Sequence, residues 1–505
     1  MPINKFGQWL PDYGSLVNAG VVRALNCVPA PDGFDPVRQH TAITTAVPSR
    51  PLGAFSALDK SLAYYQYCGT QTKLHMNVQG AVGGDWTDRS RTVGGPYTAP
   101  PDGFWDFVQW GNQVIATDGS DVPQISILGA ANFANLSQVG WSFTAKYVTV
   151  IRSHVVFAHL NDISDPEGEP QRPSRVKWSG FNNETQWVPD ASTLSDYEDL
   201  KQQQIIRIFG GEYGVIFQTA AIWKMTYIGA PAAFQFDEVV SEVGLIAPGA
   251  AVQVGDTIFF WSQKGFYAIT AGSKLTPIGA NKVDLFAAVD LDKSYTFKIS
   301  AASDPRSQQI HFLYPGPGNL GGEPNRRLVF DTATGGWSLI IESLALIWST
   351  AGTSIDLDAA ETLPGDPEDL DADEPVSFDD PRWVGGAFAL AAFNPTFQSG
   401  FFNGSNLAAE IETPEYAFNA NGRASLQGFR PLIEGGTLTA YVGSRNALSE
   451  NVVWGPLLTT GRDLKIYTRT NARYHRIRFE MAGDWDHAMG WEIEDRDLRM
   501  GEGRG

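Results

Sequence analysis

Residues 204–279 read QIIRIFGGEYGVIFQTAAIWKMTYIGAPAAFQFDEVVSEVGLIAPGAAVQVGDTIFFWSQKGFYAITAGSKLTPIG. Within them, short runs of β-branched and aromatic residues at 205–209, 215–218, 222–228, 257–261 and 265–269 are each cut off by glycine, proline or a small polar pair. Runs of this length suit strands, and none keeps helical spacing long enough to make a helix. The stretch reads as antiparallel β meander.

The meander recurs. Its unit is an apolar strand, a small polar turn and a second apolar strand, stated most plainly at 256–270 as DTIFFW, SQKG, FYAIT. Weaker copies stand at 114–128, at 155–162 with 175–180, at 215–229 and at 327–340. Copies at intervals of roughly 40 to 70 residues match β-propeller blades, with spacing too irregular for a tryptophan-aspartate or kelch array. An all-β protein is expected: a propeller of six or seven blades, its sheets closing radially around a bore, plus a C-terminal β-sandwich-like domain. The expected divisions are an extended segment at 1–62 packing on another domain, the propeller at 63–400, and the C-terminal domain at 401–505.

Composition narrows the classes. The chain has 505 residues and a net charge of −19, which argues against gripping nucleic acid through a broad basic face. Cys27 and Cys68 are too few for a disulfide framework and are expected to be reduced thiols. The opening MPINKFGQWLPDYG has no apolar core before Pro11, so no secretory signal is expected, and no apolar run is long enough to suggest a membrane span.

Local chemistry offers few sites. His154 and His159 lie five apart, on opposite faces of a strand, so joint metal ligation there is not expected. The Gly210–Gly211–Glu212–Tyr213–Gly214 loop runs into another strand rather than a helix, so it reads as a hairpin turn and not a phosphate cradle. No nucleophile elbow is present. No catalytic residue, metal or cofactor is expected, and the chain is not expected to be an enzyme.

Two stretches stand out. Residues 356–380 hold eleven Asp or Glu and no Lys or Arg, a solvated insert in which Asp366, Glu368, Asp369, Asp371, Asp373 and Glu374 could face a channel carrying a polyanion. It lacks the spacing of a calcium loop. In 473–480, alternation puts Tyr474, Arg476 and Arg478 on one face, which makes a docking strand for an acidic partner the alternative to an ordinary solvated face.

In order along the chain, KFGQWLPD at 5–12, Asn18 and Gly20, ALNCVP at 24–29, GFDP, GNQVIATDGSDVPQ, IRSHVVFAHL, RVKWS, GGEYGVIFQ, IGAPAAFQFD, GLIAPGAAVQVGDTIFFWSQKGFY, PIGANKVD and NARYHRIR resemble the tail-hub proteins of short-tailed bacteriophages. These nozzle, or packaged-DNA-stabilisation, proteins close the head after genome packaging. Each motif is only strand-and-turn vocabulary; their order carries the resemblance, which covers almost the whole chain. It implies a structural virion protein of the tail, assembled in the host cytoplasm as a homohexameric ring around an axial channel. The implied partners are the portal-adaptor protein, tail fibre or needle proteins, and genomic DNA that passes without specific binding. The acidic insert departs most from the family. Two other classes remain open: a carbohydrate-binding or glycan-cleaving propeller, suggested by Trp86, Trp105 and Trp110, and a monomeric interaction scaffold.

Overall fold

A computed structural model of the chain describes residues 3–60, 63–78, 84–201, 203–304, 306–351, 388–420, 422–494 and 497–500. The opening stretch forms two complete four-stranded blades. Ile205–Phe209, Tyr213–Gln218, Ala221–Gly229 and Ala233–Ser241 make one; Ala251–Val254, Thr257–Ser262, Gly265–Thr270 and Lys274–Pro277 make the next. Every connection is an antiparallel hairpin, with Phe260 opposite Tyr267 and Ile258 opposite Ile269. Middle strands are covered on both faces by neighbouring blades. For that reason Tyr213–Gln218 is buried at every position after the first instead of alternating.

Three further blades precede this pair, opening with Gly53–Leu58, Asp106–Trp110 and Phe143–Ile151. Another follows at Leu346–Ala351, Phe388–Phe393 and Gln398–Asn406. These six sheets stand apart. A further four-strand run, Ser300–Asp304, Gln309–Tyr314, Arg326–Asp331 and Trp337–Ile341, fills the place between 277 and 346, but its sheet continues outward into the C-terminal region. Aromatic side chains fill the gaps between blades: Phe217 meets Phe260 at 4.9 Å between centroids, and Phe266 meets Trp337 at 4.8 Å and Phe312 at 5.0 Å.

The circle is closed by the start of the chain. Arg38–Ala46 supplies the fourth strand of the last blade, pairing Ala42 with Gly400 and Thr41 with Phe401. The expected boundaries at 63 and 400 therefore fall inside blades, the first of which begins at Gly53. A strand whose side chains are mostly exposed carries no apolar run to reveal it.

The residues before the closing strand belong with the C-terminal sheet. Ile3–Lys5 pairs with Gly490–Glu492, and Arg23–Leu25 pairs with Glu410–Glu412 on one side and bridges Leu339 on the other. That single strand joins the propeller to the C-terminal region, so one fifteen-stranded sheet runs through both. The expected all-β propeller with a C-terminal β region is what the chain forms, and this strand joins the two. The region's two longest strands, Ala424–Arg445 and Tyr474–Glu492, pair along most of their length. Their pairing is interrupted near Gly435 and Gly436, at φ of +70° and +63°, and near Gly483 at +73°. Glycine tolerates these angles, and the ribbon can bend there.

At Gly400 a Cβ would sit 1.9 Å from the Thr41 carbonyl oxygen. We expect Gly400→Val to lower the unfolding free energy by about 3 kcal/mol or more, read from the urea midpoint. An unchanged midpoint would show that 38–46 does not pack in the closing position.

Candidate functional site

The first strands of five blades line an open pocket of about 360 Å³, whose walls include Phe55, Asp106, Phe107, Val148, Arg207 and Phe209. Asp106 organises it. One carboxylate oxygen accepts from the Val148 amide at 3.0 Å; the other accepts from the Phe107 amide and meets Arg207 Nη2 at 3.0 Å. Arg207 also donates to the Pro248 carbonyl at 3.4 Å and lies over the Phe104 ring at 4.5 Å. One ion pair thus ties four consecutive blades at their inner edge. Burial pushes the Asp106 carboxyl above the usual carboxylate range, against the pull of Arg207. The space has the volume of a small-ligand pocket.

A second charged cluster lies on the outer strands of the 143–199 blade. Arg175, 1% exposed, meets Asp162 at 3.0 Å, Asp165 at 2.6 Å and Asp199 at 2.7 Å, and its guanidinium lies 4.1 Å from the Tyr197 ring centroid. Arg172 holds Asp165 well below the usual carboxylate range. Beside them Lys177 is fully buried, its ammonium 4.0 Å from the Trp141 ring and without a hydrogen-bond partner. Burial pulls Lys177 down to about 7. These groups do structural work that sequence reading missed, because the partners come from different strands and no local spacing announces them.

His154 Nδ1 donates to the Ser179 carbonyl and His159 Nδ1 to the Ile205 carbonyl, each at 2.8 Å. Burial, then the Lys146 charge, pushes His159 down to about 4. Among the described residues no group of three or more His, Cys, Asp or Glu is placed to hold a metal ion.

Of the residues singled out from sequence, the docking strand is described. Tyr474 is buried, and Arg476 and Arg478 are turned onto acidic side chains of the neighbouring strand Ala409–Glu412. Arg476 pairs with Glu412, while Arg478 meets Glu410 at 3.1 Å and Glu412 at 3.2 Å and lies over Trp454 at 4.4 Å. The alternation places these side chains on one face, but that face is already occupied from within the chain. Asp366, Glu368, Asp369, Asp371, Asp373 and Glu374 lie outside the described residues. Trp86 and Trp105 are interior, Trp105 donating to the Thr70 carbonyl at 2.8 Å, and Trp110 donates to Glu184 at 3.1 Å. Trp86 and Trp105 thus present no open aromatic platform for a sugar.

Arg207→Met strands a buried carboxylate and is expected to cost about 3–5 kcal/mol in chemical unfolding, with Asp106→Asn in the same chain recovering part of the loss. A neutral single variant would mean that the pair does not hold the blades. Lys177→Met is expected to stabilise by about 1–4 kcal/mol near neutral pH. The sign follows from linkage. The unfolded lysine keeps its proton up to its ordinary value of 10.5 while the folded one releases it near 7, so wild-type stability rises between those pH values. The advantage of the variant should shrink across that window in pH-dependent thermal melts; a constant advantage would contradict the buried ammonium.

No family model and no curated protein matches the chain. Among solved structures, a fungal alcohol oxidase of the AA5 family in complex with copper is 10% identical at a TM-score of 0.40, over 90% of this chain and 99% of its own. The Pan2 WD40 domain of Neurospora crassa is 10% identical at 0.37, over 62% and 89%. The computationally designed Ika8 protein is 11% identical at 0.33, over 61% and 93%. Likenesses this distant carry no argument about function.

Proposed function

We propose that this chain is a structural subunit of a phage tail hub or nozzle, a ring component that closes the DNA channel after packaging and conducts DNA at ejection. The observation that carries the reading is the sheet that runs unbroken from the propeller into the C-terminal region, with the N-terminal strands woven through both. A body tied at both ends in this way transmits load instead of hinging, which suits a ring component. The ordered motifs quoted above support the same reading. They also mark places where the backbone is tightly held: the Asn18 side chain donates to the Leu10 carbonyl and accepts from the Gly20 amide, and a Cβ on Gly20 would lie 1.8 Å from the Gln8 carbonyl oxygen.

Charge is consistent with the role. With a net −19, copies arranged around a shared passage repel duplex DNA, and each Lys or Arg left off the wall removes one counterion-release contact that would slow its transit. The partners on this reading are further copies of the chain, the portal-adaptor protein and tail fibre or needle proteins.

The test is fractionation of purified particles with quantitative mass spectrometry. The proposal expects this chain in the tail fraction at the stoichiometry of a hexamer. Its absence from particles, or a saturable glycan-binding signal from the isolated chain, would overturn it.

A further inference from the structure

The edge of the C-terminal sheet differs in charge from the rest of the molecule. Along one side of Ala424–Arg445 the chain returns as three short strands, Val453–Trp454, Leu458–Thr459 and Ile466–Ala472. The last is the longest, and its only ladder partner among the described residues is 424–429. Its other edge therefore offers backbone N–H and C=O groups to solvent, apart from a 3.4 Å approach of His475 Nε2 to the Thr470 carbonyl.

The side chains of that strand alternate cleanly. Tyr467, Arg469 and Asn471 are exposed, as is Arg473 just beyond, while Ile466 and Ala472 are buried. The strand, IYTRTNA, contains no acidic residue. Arg462, Arg469 and Arg473 form no ion pair among the described residues, in contrast to Arg476 and Arg478 on the following strand, which are committed to Glu410 and Glu412. The carboxylates at the start of the strand are already engaged: Asp463 accepts from the Tyr467 hydroxyl, and Glu494 and Asp497 hold Lys465. Val453, Leu457 and Leu464 add exposed apolar surface beside the same edge.

In a chain of net charge −19, an open strand edge flanked by Arg469 and Arg473, four positions apart on one face and in no ion pair among the described residues, is matched to a partner that brings both backbone groups and negative charge. We propose that Ile466–Ala472 is a docking edge for an acidic extended peptide segment of a partner protein, bound by β-strand addition. Backbone hydrogen bonds hold the segment, and carboxylates four residues apart on it lie opposite Arg469 and Arg473, within the spacing of cross-strand neighbours. A nucleic acid would use the arginines and leave the ladder unmade, so the open edge favours the peptide. The proposal stands whether or not the chain is a tail component.

The probe is a labelled synthetic peptide of alternating valine and glutamate, about nine residues long so as to span one strand. It is titrated into the full-length chain by fluorescence anisotropy and mapped by hydrogen exchange. Expected are saturable binding that weakens with added salt, slowed exchange confined to residues 466–472, and roughly tenfold or greater weakening in the Arg469→Glu, Arg473→Glu double variant, whose positions are both exposed. Equal binding of the valine–lysine counterpart, protection mapped elsewhere, or full affinity in the double variant would overturn the proposal. So would tighter, variant-sensitive binding of a single-stranded oligonucleotide without protection of the edge. A second variant, Thr468→Pro, removes one backbone donor and should weaken binding while far-ultraviolet circular dichroism shows the fold retained.

Discussion

Closure of the ring by Arg38–Ala46 is the constraint on which the other features rest. The blades are covered by their neighbours, so an open circle would leave two of them with an uncovered apolar face. Among the described residues the last blade has three strands of its own, and its fourth comes from some 350 residues earlier in the chain, pairing Ala42 with Gly400. Because the segment before the closing strand also pairs with the C-terminal sheet, closing the ring and docking the C-terminal region become one event. Few contacts of this kind are local, so the chain pays a large loop-closure cost before the long-range pairing rewards it, and slow folding through late closure is the natural consequence.

Electrostatics divide into an inside and an outside. Buried and half-buried cations are matched with carboxylates at short range: half-buried Arg207 with Asp106, and buried Arg175 with Asp162 and Asp165 and Lys465 with Glu494 and Asp497. Such pairs add little net stability compared with well-packed apolar side chains, but breaking one is costly, so they fix which blade sits beside which. Lys177 departs from the pattern. It is held by aromatic rings and not by a hydrogen bond, and its charge is correspondingly labile.

The blades were legible because their middle strands are covered on both faces and read as short apolar runs; both blades of residues 204–279 are bounded where those runs end. The closing strand was not, since RQHTAITTA is mostly solvent-exposed and gives no apolar signal. Asp106 and Arg207 lie about a hundred positions apart, and nothing in their neighbourhoods marks them as partners. Reading 473–480 by alternation put Tyr474, Arg476 and Arg478 on one face; Arg476 and Arg478 are half-buried there, but Tyr474 is buried. What alternation does not carry is the neighbour across the sheet. The outward arginines are neutralised by a strand more than sixty residues away, whereas Arg473 at the head of that stretch and Arg469 before it form no ion pair among the described residues.

Native-state hydrogen exchange on the amides of Arg38–Ala46 tests the central claim most directly. If this strand closes the ring, its slowest amides should open only with global unfolding, sharing their denaturant dependence with Gly53–Leu58 and with the pairing of Ile3–Lys5 to the C-terminal sheet. Exchange of 38–46 through a local opening, while the blades on either side stay protected, would contradict the account.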